Sequence, residues 1–170
     1  LGTNNFGRRV DYQDTKDIID KALTCGINFV DTANAYSNGD SERYIGDALK
    51  GKRNDVVIAT KVSSRMAAGP NQAGNSRRHI IQEVEASLNR LRTDYIDLYQ
   101  IHWWDPHTPI EETLSALNDL IHQGKVRYIG CSNFNAWQVC ESDWTAKSQG
   151  LSPFISTQPK YNLLDREIES

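Results

Sequence analysis

Five short apolar runs, each closing on a polar residue and each separated from the next by a helix-like stretch, restrict this chain more than any other feature. The runs are Ile27–Asp31, Val56–Val62, Tyr95–His102, Val126–Ser132 and Phe154–Gln158. Most carry β-branched or aromatic residues, as strands buried on both faces do. An earlier strand ends near Gly2, with most of it missing. Strand and helix alternating at intervals of about 30 residues specify a parallel sheet with right-handed crossovers. No Gly/Ser linker or change in composition divides the sequence, so residues 1–170 read as one domain.

The helix ends are also legible. Ile18, Ile19, Ala22 and Leu23 form an apolar stripe that Gly26 stops. Asp40 or Ser41 is placed to cap a short helix running to Lys50 and stopped by Gly51. Ser76 opens a longer one with Ile80, Ile81, Val84, Leu88 and Leu91 on one side. Thr108-Pro109-Ile110-Glu111 has the spacing of a capping box, and its helix ends at Gly124. Asn135 followed by Gln138 gives the next helix a similar start. Another helix begins within Asp165–Ser170. The long Ser63 to Asn75 loop stands apart, and loops of that length in α/β domains are commonly functional.

Composition removes several classes of function. Lys plus Arg number 19 against 22 for Asp plus Glu, a net charge of −3, with no basic block or stripe for a nucleic acid to meet. Apolar runs such as Ile27 to Val30 are far too short to span a membrane. Cys25, Cys131 and Cys140 are odd in number and form no C-x-x-C pair. They read as reduced thiols in a cytoplasmic protein.

Two architectures fit a parallel α/β chain: an open doubly wound sheet and a closed eight-stranded barrel. The open sheet calls for a Gly-rich phosphate turn after its first strand. Gly2-Thr3-Asn4-Asn5-Phe6-Gly7 has neither the G-x-G-x-x-G spacing nor a following Lys-Ser/Thr. The barrel calls for polar residues at the carboxyl ends of several strands, on one rim. Asp31, Lys61, His102, Ser132 with Asn133, and Gln158 are so placed.

Lys61 lies among Val57, Ile58, Ala59 and Val62, where a lone ammonium is costly and needs a carboxylate. Asp31, on the preceding strand, is the nearest candidate. Tyr36 follows Asp31 by five residues, in a loop that springs from the same rim. An adjacent ammonium is expected to stabilise its phenolate and lower its pKa from about 10. His102 closes its strand before Trp103-Trp104-Asp105-Pro106. His102, Asp105 and His107 match no standard metal-ligand spacing. Asp97 has the opposite parity to His102 and reads as structural.

Together, Asp31-Thr-Ala-x-x-Tyr36-x-x-Gly39-x-Ser41-Glu42, Thr60-Lys61, Asp97-Leu-Tyr-x-Ile-His102, Gly130-x-Ser132-Asn133-Phe134 and Gln158-x-x-Tyr161-Asn162 resemble the aldo-keto reductase superfamily. Asn75-Ser76-Arg77 and the Trp103–Pro106 run resemble its bacterial and fungal oxidoreductase branch. The resemblance implies a (β/α)8 TIM-type barrel that binds NADP(H) without a Rossmann domain. It assigns Tyr36, Asp31, Lys61 and His102 to catalysis. It places Ser132, Asn133 and Gln158 on the nicotinamide carboxamide, with Asp31 and Thr3 near the ribose. The implied reaction reduces small aldehydes and ketones, with Tyr36 as general acid.

A closed barrel takes roughly 250 residues. With five strands and a stub, this chain is expected to be an incomplete barrel of about strands 1–6, lacking the last two β/α units, and a fragment of a longer product. Two other functions compete. Lys61 could be the nucleophile of a Schiff-base lyase, which wants a neutral amine. Alternatively the chain is a non-catalytic, nucleotide-sensing barrel subunit, as the potassium-channel β subunits of this superfamily are.

Overall fold

Parallel pairing of strands in sequence order builds the scaffold. The computed structural model describes residues 1–169. Its elements run α1 (Tyr12–Thr24), β1 (Phe29–Asp31), α2 (Asp40–Ala48), β2 (Val57–Val62), α3 (Arg77–Leu91), β3 (Ile96–Ile101), α4 (Ile110–His122), β4 (Val126–Ser132), α5 (Ala136–Gln149) and β5 (Thr157–Gln158). The sheet order is β1-β2-β3-β4-β5, every pair parallel, and it curls into a half-barrel with helices between the strands. The expected stub is present as a single parallel bridge between Gly2 and Asp31.

Register decides which side chains share a face, because side chains alternate along a strand. Asp31, Ala59, Leu98 and Tyr128 are successive partners, as are Lys61, Gln100 and Gly130, and then Ser132 and Gln158. These residues line the inner face. The alternate set, Val30, Ile58, Val62, Ile101, Ile129 and Cys131, is buried. With Ile45, Leu49, Ile80, Val84, Leu114, Leu117 and Leu120 from the helices it forms one apolar core.

Several boundaries differ from the sequence reading. Ile27 N donates to Ala22 O at 2.9 Å, so this residue closes α1 instead of opening β1. The last strand is regular only at Thr157–Gln158, although Ile155 N still reaches Ile129 O. Gly39, in a left-handed conformation, precedes α2, and Asp40 is its first residue. Ser41 cannot cap, because its hydroxyl is drawn into contacts with Thr3 and Thr32. The box expected at Thr108 does not form either. Thr108 Oγ1 donates to Asp105 Oδ2 at 2.8 Å, leaving Pro109 at the cap position. The caps at Ser76 and at Asn135 with Gln138 are as expected: Ser76 Oγ accepts from His79 N, and Gln138 Oε1 from Asn135 N at 2.7 Å. Beyond β5 a 3-10 turn spans Glu167–Glu169, while Ser170 lies outside the described residues.

Candidate active site

The strand ends carry Asp31, Lys61, His102, Ser132 and Gln158 to one rim of the half-barrel, as their register requires. Lys61 is buried, 1% exposed, and its Nζ donates to Asp31 Oδ1, Asp31 Oδ2 and Thr32 O, each at 2.8 Å. Three donors meet three acceptors, which is what an ammonium out of water requires. Burial pushes the Lys61 pKa down and Asp31 opposes that push.

Tyr36 opens the 3-10 turn Tyr36–Gly39. Its ring lies 5.2 Å from Lys61 Nζ and 5.9 Å, edge to face, from the His102 ring. Among the described residues its hydroxyl has no hydrogen-bond partner. Burial, then the Asp31 carboxylate, raises its pKa above the ordinary 10.0. This reverses the sequence expectation. The Lys61 protons are already committed to Asp31 and Thr32, so the ammonium faces the ring while the carboxylate acts against the phenolate. Burial, and next the Lys61 charge, hold the His102 pKa down at about 4. At neutral pH this imidazole carries no charge.

Ser132 and Asn133 extend the rim. Ser132 Oγ donates to Gln158 O at 2.9 Å, and Asn133 Nδ2 donates to His102 O at 3.1 Å and to Ser132 Oγ at 3.0 Å. Asn133 Oδ1 and the Gln158 side-chain amide have no partner among the described residues. That pair of groups offers both donors and acceptors, the chemistry a nicotinamide carboxamide needs, so the donor set fits that end of the cofactor. Thr3 is different. It is buried, and its hydroxyl donates to Asp31 O at 2.9 Å, so it fixes the strand end and presents no free group.

Asp97 is occupied away from this rim, accepting from Arg53 Nη2 at 2.7 Å and Ile58 N at 2.8 Å. Asp105 accepts from Asn75 N, His107 N and Thr108 Oγ1. Among the described residues no His, Cys, Asp or Glu cluster is arranged for a metal, and no helix is long and apolar enough to cross a membrane. The 63–75 loop is clasped at its base: Ser63 Oγ reaches Asn75 Oδ1 at 2.6 Å, and Asn75 Nδ2 donates to Trp103 O at 2.8 Å. Trp103 stacks on His102, with ring centroids 5.5 Å apart.

Sequence reasoning missed a second polar cluster, behind the sheet. Glu42 Oε1 accepts from Thr60 Oγ1 at 2.5 Å, and its Oε2 accepts from Arg90 Nε at 2.6 Å. Glu83 Oε2 accepts from Asn34 Nδ2 at 3.0 Å and lies 3.6 Å from Arg90 Nη2. The signal was available: Glu83, Ser87 and Arg90 interrupt the apolar face of α3 at helical spacing.

The pattern of the Aldo/keto reductase family matches residues 1–170. The chain is 44% identical over 155 residues to the aldo-keto reductase YhdN of Bacillus subtilis strain 168, covering 90% of this chain and 45% of that protein. It is 44% identical over 201 residues to the aldo-keto reductase dtxS3 of Metarhizium robertsii, covering 99% and 54%. A probable aryl-alcohol dehydrogenase of Saccharomyces cerevisiae, AAD4, is 38% identical over 162 residues, covering 90% and 49%. The chain spans about half the length of these curated relatives. A match along its whole length and relatives at this identity leave one assignment for the rim just described: the chain belongs to the aldo/keto reductase family of oxidoreductases.

Proposed function

We propose that this rim reduces aldehydes and ketones to alcohols with NADP(H), and that Tyr36 delivers the proton. One observation carries the reading: a buried Lys61–Asp31 pair lies under the Tyr36 ring, beside a neutral His102. When bound, the reduced nicotinamide supplies hydride to the carbonyl carbon. The chain supplies geometry, a proton and the local field.

Tyr36 with a raised pKa holds its proton throughout the physiological range. It is too weak an acid to protonate a ketone outright. The oxygen of a carbonyl being reduced becomes far more basic than a phenolate, so the proton moves to it downhill as that charge develops. His102, uncharged, orients the oxygen by hydrogen bonding without competing as the acid. The Lys61–Asp31 pair packs against the Tyr36 ring and fixes its position, and Asp31 keeps Lys61 charged and aimed. Gln158 and Asn133 hold the carboxamide. Ser132 and Thr3 act by fixing the strand ends beside them. Preference for the phosphorylated cofactor follows the family resemblance, and three free cysteines suit a reducing, cytoplasmic setting. Lys61 is a poor Schiff-base nucleophile here, since its three ammonium protons are held by three acceptors.

The test is oxidation of NADPH by this chain with an activated aromatic aldehyde, with NADH in parallel and Tyr36→Phe as control. Turnover that falls by about two orders of magnitude or more in the control is the expected result for a lost general acid. Undiminished turnover in Tyr36→Phe, or none in the native chain, defeats the reading.

A further inference from the structure

We propose that the buried Glu42–Arg90–Glu83 cluster is the positioning device for Tyr36, acting through the strained turn that carries it. This deepens the reductase reading and rests on it.

The residues after Tyr36 are left-handed three times in succession: Ser37 (φ 50°), Asn38 (φ 55°) and Gly39 (φ 91°). For Ser37 that conformation is sterically unfavourable, while Asn38 tolerates it better. Such a run persists only where its surroundings over-determine it, and it marks segments whose shape serves a function.

The supports lie on both sides of Tyr36 and lead to the same place. Two residues before it, Asn34 N donates to Lys61 O at 3.1 Å and Asn34 Nδ2 donates to Glu83. Three residues after it, Gly39 lies flat against Arg90: a Cβ there would stand 2.7 Å from Arg90 Cδ. No other residue both tolerates the left-handed backbone and allows that approach. One helical turn on, Glu42 clasps Arg90 Nε, and Ser87 Oγ joins Glu42 Oε2 at 3.3 Å and Arg90 Nη2 at 3.1 Å. A lateral bond, from Ser37 Oγ to Phe6 O at 2.7 Å, braces the turn itself. Both ends of the Tyr36 segment are thus fastened to one guanidinium and two carboxylates presented by α2 and α3.

Glu42 is fully buried and Glu83 is 4% exposed. Buried ion clusters add little net stability over apolar packing; what they impose is a definite arrangement. The arrangement imposed here sets the phenol against His102 and Lys61. Asn34, Glu83 and Arg90 touch none of the reacting groups through their side chains, so they are positioning residues. Gly39 and Glu42 of the family-like motif also acquire a task, which the rim chemistry alone does not give them.

The test uses this chain labelled with ring-13C tyrosine, the Tyr36 signal being assigned by its loss in Tyr36→Phe. Asn34→Ala and Glu83→Ala cut the tether. Glu83→Gln keeps an acceptor for Asn34 and is the conservative rescue. Leu114→Ala, in the apolar core on α4, supplies a comparable loss of stability on a different element from the turn. The expected result is a displaced Tyr36 signal in Asn34→Ala and Glu83→Ala, with its alkaline titration returning toward that of an exposed tyrosine. With it, kcat falls at least tenfold while KM for NADPH stays within threefold. Glu83→Gln and Leu114→Ala keep the native signal and stay within threefold in kcat. If Asn34→Ala does not fold, Asn34→Ser stands in for it. The proposal is overturned if the tether variants keep the native Tyr36 signal, or if Leu114→Ala displaces it equally. A native chain that fails to turn over defeats the reductase reading alone, because the Tyr36 signal still decides the positioning claim.

Discussion

Acidifying the solution from pH 7 to pH 5 will destabilise the folded chain specifically through His102. Burial, and then the neighbouring Lys61 ammonium, hold this imidazole neutral, with a pKa of about 4 against an ordinary 6.5; Asp31 opposes them. The folded state therefore takes up the proton later than the unfolded chain. The stabilisation is complete above about 6.5 and is lost as the pH falls toward about 4. Each tenfold difference in proton affinity is worth about 1.4 kcal/mol, so the whole gap has an upper limit of about 3 kcal/mol. His102 sits at a rim open to solvent, which screens part of this, and the loss between pH 7 and pH 5 is set at about 1–2 kcal/mol. Urea unfolding of the native chain and of His102→Gln at pH 7, 6 and 5 isolates the contribution, since all other groups titrate in both. The native chain should lose about 1–2 kcal/mol more than the variant across that range. Parallel pH slopes, or an NMR titration of the His102 ring centred near 6.5, would refute the assignment of a desolvated, cation-flanked imidazole. A neutral His102 as orienting group also requires that reduction show no limb from this residue between pH 6 and pH 8.

Three further outcomes follow from the same geometry. Asp31→Asn leaves the Lys61 ammonium buried without its counter-charge and should cost about 3–5 kcal/mol in denaturant unfolding, most of it regained in the Asp31→Asn/Lys61→Met double variant. A single variant within 1 kcal/mol of the native chain would show that water reaches Lys61 freely. With Tyr36 as the proposed proton carrier, alcohol oxidation would draw on its phenolate and should keep rising through pH 10, because burial and Asp31 disfavour that form, and Asp31→Asn should move the limb to lower pH. A plateau below pH 9 contradicts this. Gly46→Ala should cost about 1–3 kcal/mol, read as a lowered Tm, because a Cβ at Gly46 would lie 2.6 Å from the Leu91 backbone carbonyl carbon where α2 crosses α3.

The scaffold was legible because its information is local. Apolar runs ending in polar residues give the strands, and parallel topology then forces Asp31, Lys61, His102, Ser132 and Gln158 onto one rim. The Lys61–Asp31 pair could be foreseen because a Lys inside Val-Val-Ile-Ala-Thr-Lys-Val has few ways to survive burial. What stayed hidden depends on competition for partners. Thr108 has the sequence of a capping residue, but Asp105 takes its hydroxyl. The sign of the Tyr36 pKa depended on where three Lys61 protons go, and spacing does not say that they are spent on Asp31 and Thr32. Asn34 and Glu83 lie 49 residues apart, and nothing in either neighbourhood names the other.

Strand β2 joins the two polar centres. Thr60 and Lys61 are adjacent, and alternation sends them to opposite faces: Thr60 Oγ1 outward to Glu42, Lys61 Nζ inward to Asp31. A slip of one residue in the β2 register would put a hydroxyl before Asp31 and an ammonium beside Arg90. Both centres would then fail together, the inner one for want of a cation and the outer one from like charges in a buried layer. The same strand is tied to the Tyr36 segment through its backbone, where Asn34 N donates to Lys61 O at 3.1 Å. The position of Tyr36 over Lys61 is therefore set by two ionic clusters on opposite faces of one sheet, and pairing that satisfies one of them satisfies the other. That mutual dependence accounts for costly buried charge behind the sheet, where aliphatic side chains would serve stability as well. It favours the one register in which the phenol, the imidazole and the ammonium meet.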